Sequence, residues 1–312
     1  NISIIIPVYN EQDSIKHLIK KLLEVQQIIP KKKMEIIFVN DGSTDNTNLN
    51  LSEALVHYPN IKAVFLSKNF GQTAAFQAGI DYSKGDVIIT MDGDLQNDPK
   101  DIPLLIDKLD DGFDVVSGWR KNRKDNLVRR FLSKIANWLI TIIFGLKLHD
   151  YGCSIKAYRK EMFNNLYLYG EIHRFIPLVM YWNGALITEI PVSHYPRISG
   201  KSKYSIGKGF KVVLDLLTHY FVSNFYTKPN YIFGAFGMIF GLLATIAFGI
   251  VAYRVLLLKN VETTPMIFLW LLFSFISLLS FFIGLLAEMV SRLYYSTENR
   301  KPYRIHYKSN FD

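Results

Sequence analysis

The sequence predicts an α/β protein: a mainly parallel sheet covered by helices, followed by amphipathic interface helices and two transmembrane helices. Three observations support this prediction. Short apolar runs alternate with segments of helical periodicity from residue 2 to residue 117. Polar and acidic clusters follow several of the apolar runs. The long segments 231–258 and 266–287 together contain a single charged residue, Arg254.

The first part of the chain alternates predicted strands with predicted helices. Apolar runs predict strands at 2–8, 35–39, 62–66, 86–91 and 114–117. Helical spacing of apolar residues predicts helices over 14–25, 47–57, 73–82 and 102–109. Such alternation favours a parallel sheet buried on both faces, which binds ligands beyond the carboxyl ends of its strands. The polar clusters 9–11, 41–45 and 92–96 all fall at those ends.

The second part of the chain predicts contact with a membrane. Segments 129–148 and 206–226 predict amphipathic helices on the membrane surface, although a helix packed on the sheet explains 129–148 equally well. Segments 231–258 and 266–287 exceed the roughly 20 residues that cross a bilayer. A buried hairpin in a soluble protein is the alternative. The predicted regions are a core (1–128), an interface region (129–230), a transmembrane hairpin (231–291) and a tail (292–312).

The charge of the chain indicates an anionic partner. Lys and Arg number 36 against 27 Asp and Glu, which gives a formal net charge of +9. Basic residues gather at 120–134 and 197–211, ahead of the apolar segments, which favours phosphate groups and an anionic bilayer. No nucleic-acid-binding motif is present, so nucleic acid is not an expected partner. Basic residues after residue 287 place the core and the tail in the cytoplasm by the positive-inside rule.

A pair of carboxylates follows the predicted strand 86–91. Asp92 and Asp94 can hold Mg²⁺ or Mn²⁺ while the metal binds phosphate oxygens, and Gln96 is placed to add a contact. A solvated turn is the alternative for an isolated Asp-x-Asp, but the neighbouring acidic clusters favour a site. Asp41 follows strand 35–39, and we expect it to contact a nucleobase or ribose. The same loop could also cap the next helix, and the two roles are compatible.

These motifs together resemble the family 2 glycosyltransferases of the GT-A fold. The chain is most similar to the polyisoprenyl-phosphate subgroup, which includes dolichol-phosphate mannose synthase and bacterial undecaprenyl-phosphate (bactoprenol) glucosyltransferases. The stretch 149–159 and the two apolar segments resemble the bacterial members in particular. Asn40 departs from the pattern, because many relatives have a second Asp there. The motifs, in chain order, are Pro7-Val-Tyr9-Asn-Glu11, Asn40-Asp41-Gly42-Ser43-Thr44-Asp45, Asp92-Gly93-Asp94-Leu95-Gln96, Ser117-Gly118-Trp119-Arg120 and Arg197-Ile-Ser-Gly200-Lys-Ser202-Lys203-Tyr204.

The resemblance implies a role for each matching position. The nucleotide pocket would be lined by Pro7, Tyr9, Glu11, Asp41 and Asp92. Asp94 would be the principal metal ligand, with Asp92 beside the diphosphate and Gln96 assisting. Arg197 and Lys203 would bind the diphosphate or the acceptor phosphate. Arg120 and Arg130 would receive the lipid phosphate, although a basic face resting on anionic lipid explains the same pair.

The expected reaction follows from the charges. A sugar leaving a nucleotide diphosphate puts negative charge on the diphosphate, which the metal and the Arg197 and Lys203 cations would stabilise. The lipid phosphate is already ionised, so a strong base is less necessary than for a sugar hydroxyl. Asp150 is the candidate base or acceptor-orienting residue; a pairing with an arginine that only shapes the site is the equal alternative. The resemblance implies inversion of the anomeric centre.

The resemblance favours glucose from UDP-glucose as the transferred sugar and the bacterial inner membrane as the location. Another sugar such as aminoarabinose or mannose on the same lipid, or an inactive nucleotide-sugar-binding scaffold, is the alternative. A nucleotidyltransferase would need no membrane spans, and a processive synthase usually needs more than two. Gly237 and Gly241 match the small-xxx-small pattern, which could pack the two spans together or pair protomers in a homo-oligomer.

Overall fold

The computed structural model describes residues 1–121, 140–141, 144–164, 166, 168, 170, 172–196, 230–256, 265–296 and 305–309. The chain divides into two compact units. One unit comprises Asn1–Thr218 together with Lys301–Asp312, and the other comprises His219–Arg300.

An eight-stranded sheet forms the centre of the first unit. The strands lie in the order β7-β5-β6-β4-β1-β2-β3-β8. Six strands run parallel, while β6 and β8 run antiparallel to their neighbours. The strands are β1 (Ile2–Val8), β2 (Met34–Asn40), β3 (Ile61–Leu66), β4 (Val87–Thr90), β5 (Val115–Trp119), β6 (Lys156–Arg159), β7 (Ile187–Pro191) and β8 (Ile305–Ser309).

Helices cover both faces of this sheet. Ile4 and Ile5 of β1 point to opposite faces, and both side chains are fully buried. Ile4 joins the core formed with Leu18 of the first helix, whereas Ile5 packs against Gly79 of the third. Burial on both faces explains why the strands β1 to β4 are nearly continuous apolar runs. The helices of this unit are α1 (Ile15–Ile28), α2 (Thr47–His57), α3 (Gln72–Tyr82), α4 (Ile102–Asp110) and α5 (Ile176–Trp182).

The prediction of a mainly parallel sheet with covering helices is confirmed, and the first five strands lie within two residues of their predicted bounds. The prediction of a helix over 129–148 is wrong at its C-terminal end. Helical structure stops at Phe144 because Gly145 adopts φ +82°, and Leu146 and Leu148 are buried in the protein. The remainder of that segment and the predicted helix 206–226 lie outside the described residues.

The second unit is a helical hairpin of α6 (Asn230–Leu256) and α7 (Pro265–Ser296). Both helices are long and apolar enough to cross a membrane over Phe233–Leu256 and Pro265–Ala287. Gly237 and Gly241 face α7: a Cβ on Gly237 would lie 2.8 Å from the Phe281 ring. Ser277 Oγ also donates a 2.7 Å hydrogen bond to the Gly237 carbonyl. The small-xxx-small motif therefore packs the two helices together in this structure.

Candidate active site

The carboxyl edge of the sheet gathers the three predicted acidic clusters. β1 lies between β2 and β4, so the loops that follow these three strands are neighbours. Asp41 N donates a 2.9 Å hydrogen bond to the Val8 carbonyl, which joins the first two loops. Gly93 packs against the end of β1, where an added Cβ would lie 2.7 Å from Val8 Cγ1 and 3.4 Å from the Pro7 carbonyl oxygen. Only a glycine allows the Asp-Gly-Asp loop to approach this closely.

Asp92 and Asp94 are close enough to affect each other electrostatically. Gln72 Nε2 donates to Asp92 Oδ1 at 2.5 Å, and Asp94 Oδ1 accepts from Gln96 N at 3.1 Å. Burial raises the pKa of Asp92, and the negative charge of Asp94 raises it further. Leu95 takes a left-handed φ of 62°, which is uncommon for a branched apolar residue and places the strain between Asp94 and Gln96.

Asp41 supports a neighbouring loop. Its carboxylate accepts hydrogen bonds from Phe70 N at 2.7 Å and Gly71 N at 2.9 Å, directly before α3 begins at Gln72. Burial raises the pKa of Asp41 even though both amides favour the charged form. Asp41 thereby positions Gln72, the residue that contacts Asp92.

The other residues expected at the nucleotide pocket lie at the end of β1. Pro7 belongs to β1 and is paired with Val39 of β2. Tyr9 and Glu11 follow this strand and are partly exposed. Glu11 N donates to Thr47 Oγ1 at 3.0 Å, and Glu11 Oε2 accepts from Ser14 Oγ at 2.9 Å. These contacts tie the β1 loop to the first turns of α1 and α2.

Arg120 and Asp150 form a bidentate ion pair at the end of β5. Arg120 Nε lies 2.6 Å from Asp150 Oδ2, and Nη2 lies 2.8 Å from Oδ1. Their side chains are 13% and 7% exposed, and the carboxylate raises the pKa of Arg120 above its ordinary value despite this burial. The arrangement is the one expected if Asp150 holds an arginine in place. The adjacent Trp119 ring stacks on His149 at a centroid distance of 4.4 Å.

Lys156 is a buried cation that the sequence analysis did not single out. Its ammonium donates to the carbonyl of Tyr151 at 3.2 Å and to the carbonyl of Arg174 at 2.8 Å. Burial lowers the pKa of Lys156 to about 8, while the nearby Asp150 partly offsets this effect. The residue links the loop that carries Asp150 with the segment around Arg174. In the sequence, the position of Lys156 within the stretch 149–159, which resembles the bacterial members, was the signal that could have identified it.

His173 and Arg174 were also missed. His173 Nδ1 lies 2.9 Å from Thr73 Oγ1 at the start of α3, and Arg174 Nε donates to His173 Nε2 at 3.4 Å. The positive charge of Arg174 opposes the rise in the pKa of Asp92. A basic pair directly before the apolar run 175–180 was the only local signal, and it gives no indication of a neighbour 100 residues away.

The segment after β7 is held beside the Asp92–Asp94 loop. Tyr195 N donates to the Gln96 carbonyl at 2.8 Å, and Ser193 N donates to Asp101 Oδ2 at 2.7 Å. The chain therefore passes next to the acidic loop just before residue 197. Three further predicted site residues lie outside the described residues: Arg130, Arg197 and Lys203.

Asp92 and Asp94 fit a divalent cation by their chemistry. Two neighbouring carboxylates, one of them with a pKa raised by burial and by its partner's charge, are stabilised by a bound cation. Mg²⁺ is commonly held by one or two carboxylates together with substrate phosphates. Across the part of the chain that the structure describes, no cluster of three or more His, Cys, Asp or Glu side chains forms a larger metal site.

Comparisons with known proteins point to one family of glycosyltransferases. Residues 3–167 match the family described as "Glycosyl transferase family 2". The chain is 41% identical over 307 residues to a dodecaprenyl-phosphate galacturonate synthase of Rhizobium johnstonii, covering 94% of this chain and 88% of that protein. It is 36% identical over 309 residues to an undecaprenyl-phosphate 4-deoxy-4-formamido-L-arabinose transferase of Klebsiella pneumoniae, covering 97% and 92%.

Solved structures share the fold at lower sequence identity. A glucosyl-3-phosphoglycerate synthase from Mycobacterium tuberculosis, in complex with Mn²⁺, UDP-glucose and phosphoglyceric acid, superimposes with a TM-score of 0.55. The match has 17% identity and covers 70% of this chain and 79% of that one. At this identity the likeness concerns the fold alone.

Proposed function

The chain belongs to glycosyl transferase family 2 and is a glycosyltransferase, and from this premise we propose that it transfers a sugar from a nucleotide-diphosphate donor to the phosphate of a polyprenyl phosphate. The observation that carries the proposal is the Asp92–Asp94 pair at the carboxyl edge of the sheet, beside Gln72 and Arg174. The names of two relatives that match nearly the whole chain support the lipid acceptor.

The sugar is the part of the proposal that departs from the expectation of glucose. The two relatives are named for galacturonate and for 4-deoxy-4-formamido-L-arabinose, so a sugar other than glucose is favoured. We place galacturonate first because the synthase named for it has the higher identity, 41% against 36%. An aminoarabinose derivative is second, ahead of glucose and mannose.

The donor would bind at the edge formed by β1, β2 and β4. Asp92 and Asp94 would hold Mg²⁺ or Mn²⁺, and Gln72 keeps Asp92 Oδ1 oriented by its 2.5 Å hydrogen bond. The bound cation would neutralise negative charge on the leaving diphosphate. Gln96, by its position in the motif, would assist, and Pro7, Tyr9, Glu11 and Asp41 would line the nucleotide pocket.

The acceptor phosphate would attack without a strong base, because it is ionised near neutral pH. Asp150 would then act by holding Arg120, whose guanidinium it binds through two hydrogen bonds. Arg130, Arg197 and Lys203 would supply further cations, as the family motifs imply. A single in-line displacement inverts the anomeric centre.

The membrane proposal rests on the helical hairpin and on β8. Both helices are long and apolar enough to cross a bilayer. The chain returns from the hairpin unit to pair β8 with β3 in the first unit. An even number of crossings therefore fits, with the catalytic domain and the tail both on the cytoplasmic side of a bacterial inner membrane.

The test is sugar transfer by the purified protein in detergent. Undecaprenyl phosphate and Mg²⁺ or Mn²⁺ are supplied with radiolabelled UDP-galacturonate, UDP-4-deoxy-4-formamido-L-arabinose, UDP-galactose, UDP-glucose or GDP-mannose. We expect label to enter the organic phase from one donor, to be lost with EDTA and to return with added metal. Binding of these donors without transfer from any of them would contradict the proposal and favour an inactive nucleotide-sugar-binding scaffold.

A matched pair of variants assigns the metal site. Asp94→Asn removes one charge from the acidic pair and should lower kcat by about 100-fold or more, because a metal supplies several kcal/mol of charge stabilisation. Asp110→Asn makes the same change at an exposed residue that pairs with Lys32, and should leave kcat unchanged. Equal rates for the two variants would remove Asp94 from the metal site.

A further inference from the structure

A short chain of contacts connects Arg174 to the acidic pair. Asp92 Oδ1 accepts from Gln72 Nε2 at 2.5 Å, and the next residue, Thr73, places Oγ1 2.9 Å from His173 Nδ1. Arg174 Nε in turn lies 3.4 Å from His173 Nε2. The first two residues of α3 therefore contact the acidic loop and the basic pair.

The main chain at Arg174 is firmly held. The buried Lys156 ammonium donates to the Arg174 carbonyl at 2.8 Å, and Phe175 N donates to the Ile172 carbonyl at 2.7 Å. The Arg174 side chain, in contrast, is only half-buried. A fixed backbone that carries a half-buried arginine is the arrangement of a preorganised binding group, because little conformational freedom is lost when it binds a ligand.

The charge of Arg174 acts on the site. It lowers the pKa of Asp92 against the effect of burial, and it lowers the pKa of the neighbouring Lys156. The metal proposed at Asp92 and Asp94 would neutralise the leaving diphosphate, so a second anionic group near these carboxylates needs a further cation.

We propose that Arg174 is a specificity-determining residue whose guanidinium binds one oxyanion of the reacting pair, with His173 as its positioning residue. The oxyanion is a carboxylate on the donor sugar or the phosphate of the lipid acceptor, since a planar guanidinium binds both in the same bidentate manner. This inference rests on the proposed function and adds a recognition residue outside the family motifs described above.

The test separates the two sources of the oxyanion. UDP-galacturonate and UDP-galactose differ only in a carboxylate against a hydroxymethyl group, and donor affinity is measured by calorimetry without acceptor. If Arg174 binds the sugar, Arg174→Gln lowers the affinity for UDP-galacturonate by about 10- to 100-fold, as expected for a lost charge-assisted hydrogen bond. The affinity for UDP-galactose then stays unchanged. If it binds the lipid phosphate, both donors keep their affinity and the dissociation constant of undecaprenyl phosphate rises by a similar factor.

Two further variants keep the result interpretable. Arg174→Lys retains the charge without the planar fork, so it should weaken the same ligand by a smaller factor. His173→Asn should also lower the affinity for that ligand. Arg159→Gln is the control: its guanidinium binds the Phe113 and Leu109 carbonyls at the other end of β6, so it should lower Tm without changing either ligand's affinity.

The outcomes also separate this inference from the proposed function. Unchanged affinity for both the uronate donor and the lipid in Arg174→Gln and Arg174→Lys overturns the role of Arg174, even if the wild type transfers sugar. A selective loss of one ligand supports Arg174 even if no sugar transfer is found, because both affinities are measured without turnover. The variants keep the Lys156 contact, which uses the backbone carbonyl of Arg174.

Discussion

Opposite charges are buried together beneath the carboxyl edge of the sheet. Arg120 and Asp150 form an ion pair. The Lys156 ammonium donates hydrogen bonds to backbone carbonyls and is stabilised by the negative charge of Asp150. A buried ammonium carries a desolvation cost, and burial accordingly lowers the pKa of Lys156 to about 8. The two contacts are consistent with a positioning role, because Lys156 joins the loop at Tyr151 to the segment around Arg174.

Replacing Lys156 with methionine should change the pH dependence of stability. In the wild type, the unfolded chain keeps a proton up to its usual pKa of 10.5, whereas the folded chain loses it near pH 8. Between these values the unfolded state binds more protons, so wild-type stability rises with pH relative to Lys156→Met. Below pH 8 both states are protonated and the difference is constant.

The measurement is the free energy of unfolding of both proteins in detergent at pH 7.5, 9 and 10. The other titrating groups cancel in the comparison of the two proteins. Parallel curves over this range would mean that Lys156 keeps an ordinary pKa. The nearby charges that set this pKa are Asp150 and Cys153, which raise it, and Arg174 and Arg120, which lower it.

The two readings of Asp150 can be separated by a double-mutant cycle with Arg120. Removing one partner of a buried pair costs about 3–5 kcal/mol, because the other charge is left buried and uncompensated. If Asp150 acts by holding Arg120, then Asp150→Asn and Arg120→Gln lower stability and lipid affinity by overlapping amounts. The double variant is then no worse than the poorer single variant. A separate loss of kcat in Asp150→Asn, additive with Arg120→Gln, would instead indicate a catalytic base.

At the scale of elements, the closest packing in the hairpin unit lies where α6 presents small residues to α7. Gly237 lies against the Phe281 ring, and Ala244 and Ala247 are buried in an otherwise lipid-compatible helix. Because lipid tails are as apolar as leucine, close packing and hydrogen bonds hold such helices together. The Ser277 hydroxyl contributes one such bond to the Gly237 carbonyl.

A pair of leucine substitutions tests this packing. Gly237→Leu should destabilise the hairpin by about 1–3 kcal/mol, as overpacking typically does, because its side chain would collide with Phe281. Gly249→Leu makes the same change where no atom lies within 4 Å of the added Cβ, and should be neutral. Thermal unfolding in detergent distinguishes them. Equal shifts in Tm would mean that α6 does not use Gly237 to contact α7.

Three strands were missed by the sequence analysis, and they share a cause. β6, β7 and β8 all have five residues or fewer and lie outside the regular alternation of strands and helices. Each is paired with a strand distant in the sequence, as in the antiparallel pairing of Val64 with Lys308. Short strands of this kind are stabilised by their neighbours rather than by a periodic pattern of their own.

At the scale of the whole molecule, β8 restricts how the chain can cross a membrane. The strand covers the outer edge of β3, which would otherwise present unpaired backbone groups. It also belongs to the same unit as Asp92 and Asp94, although it follows the hairpin in sequence. A single crossing would put β8 and β3 on opposite sides of the bilayer, whereas two crossings allow them to pair.

Cysteine labelling tests this topology with little background. The single native cysteine, Cys153, is 1% exposed, and burial raises the pKa of its thiol to about 12, so it should not react. A membrane-impermeant maleimide should label Thr263→Cys, between the two apolar segments, in intact cells. Asn310→Cys, in the tail, should be labelled only after the membrane is opened. The reverse pattern would exclude a cytoplasmic catalytic domain.

Local patterns in the sequence determined the half of the fold built on β1 to β4 and the acidic pair. The strands β1 to β4 are buried on both faces, so each is an apolar run that can be recognised without its partners. The loops after them inherit their position from the sheet, since parallel strands end at one edge. The apolar composition of the two hairpin helices was equally evident, because a spanning segment must be apolar along its whole length.

Only the tertiary structure decided which polar groups meet at that edge. Gln72 reaches Asp92 from 20 residues away, and Thr73 meets His173 across 100 residues. The pairing of Arg120 with Asp150 likewise depends on how β5 and the loop before β6 are placed. Hydrogen bonds and ion pairs depend on distances of a few ångströms, and such distances between remote residues are set by packing, which no local pattern encodes.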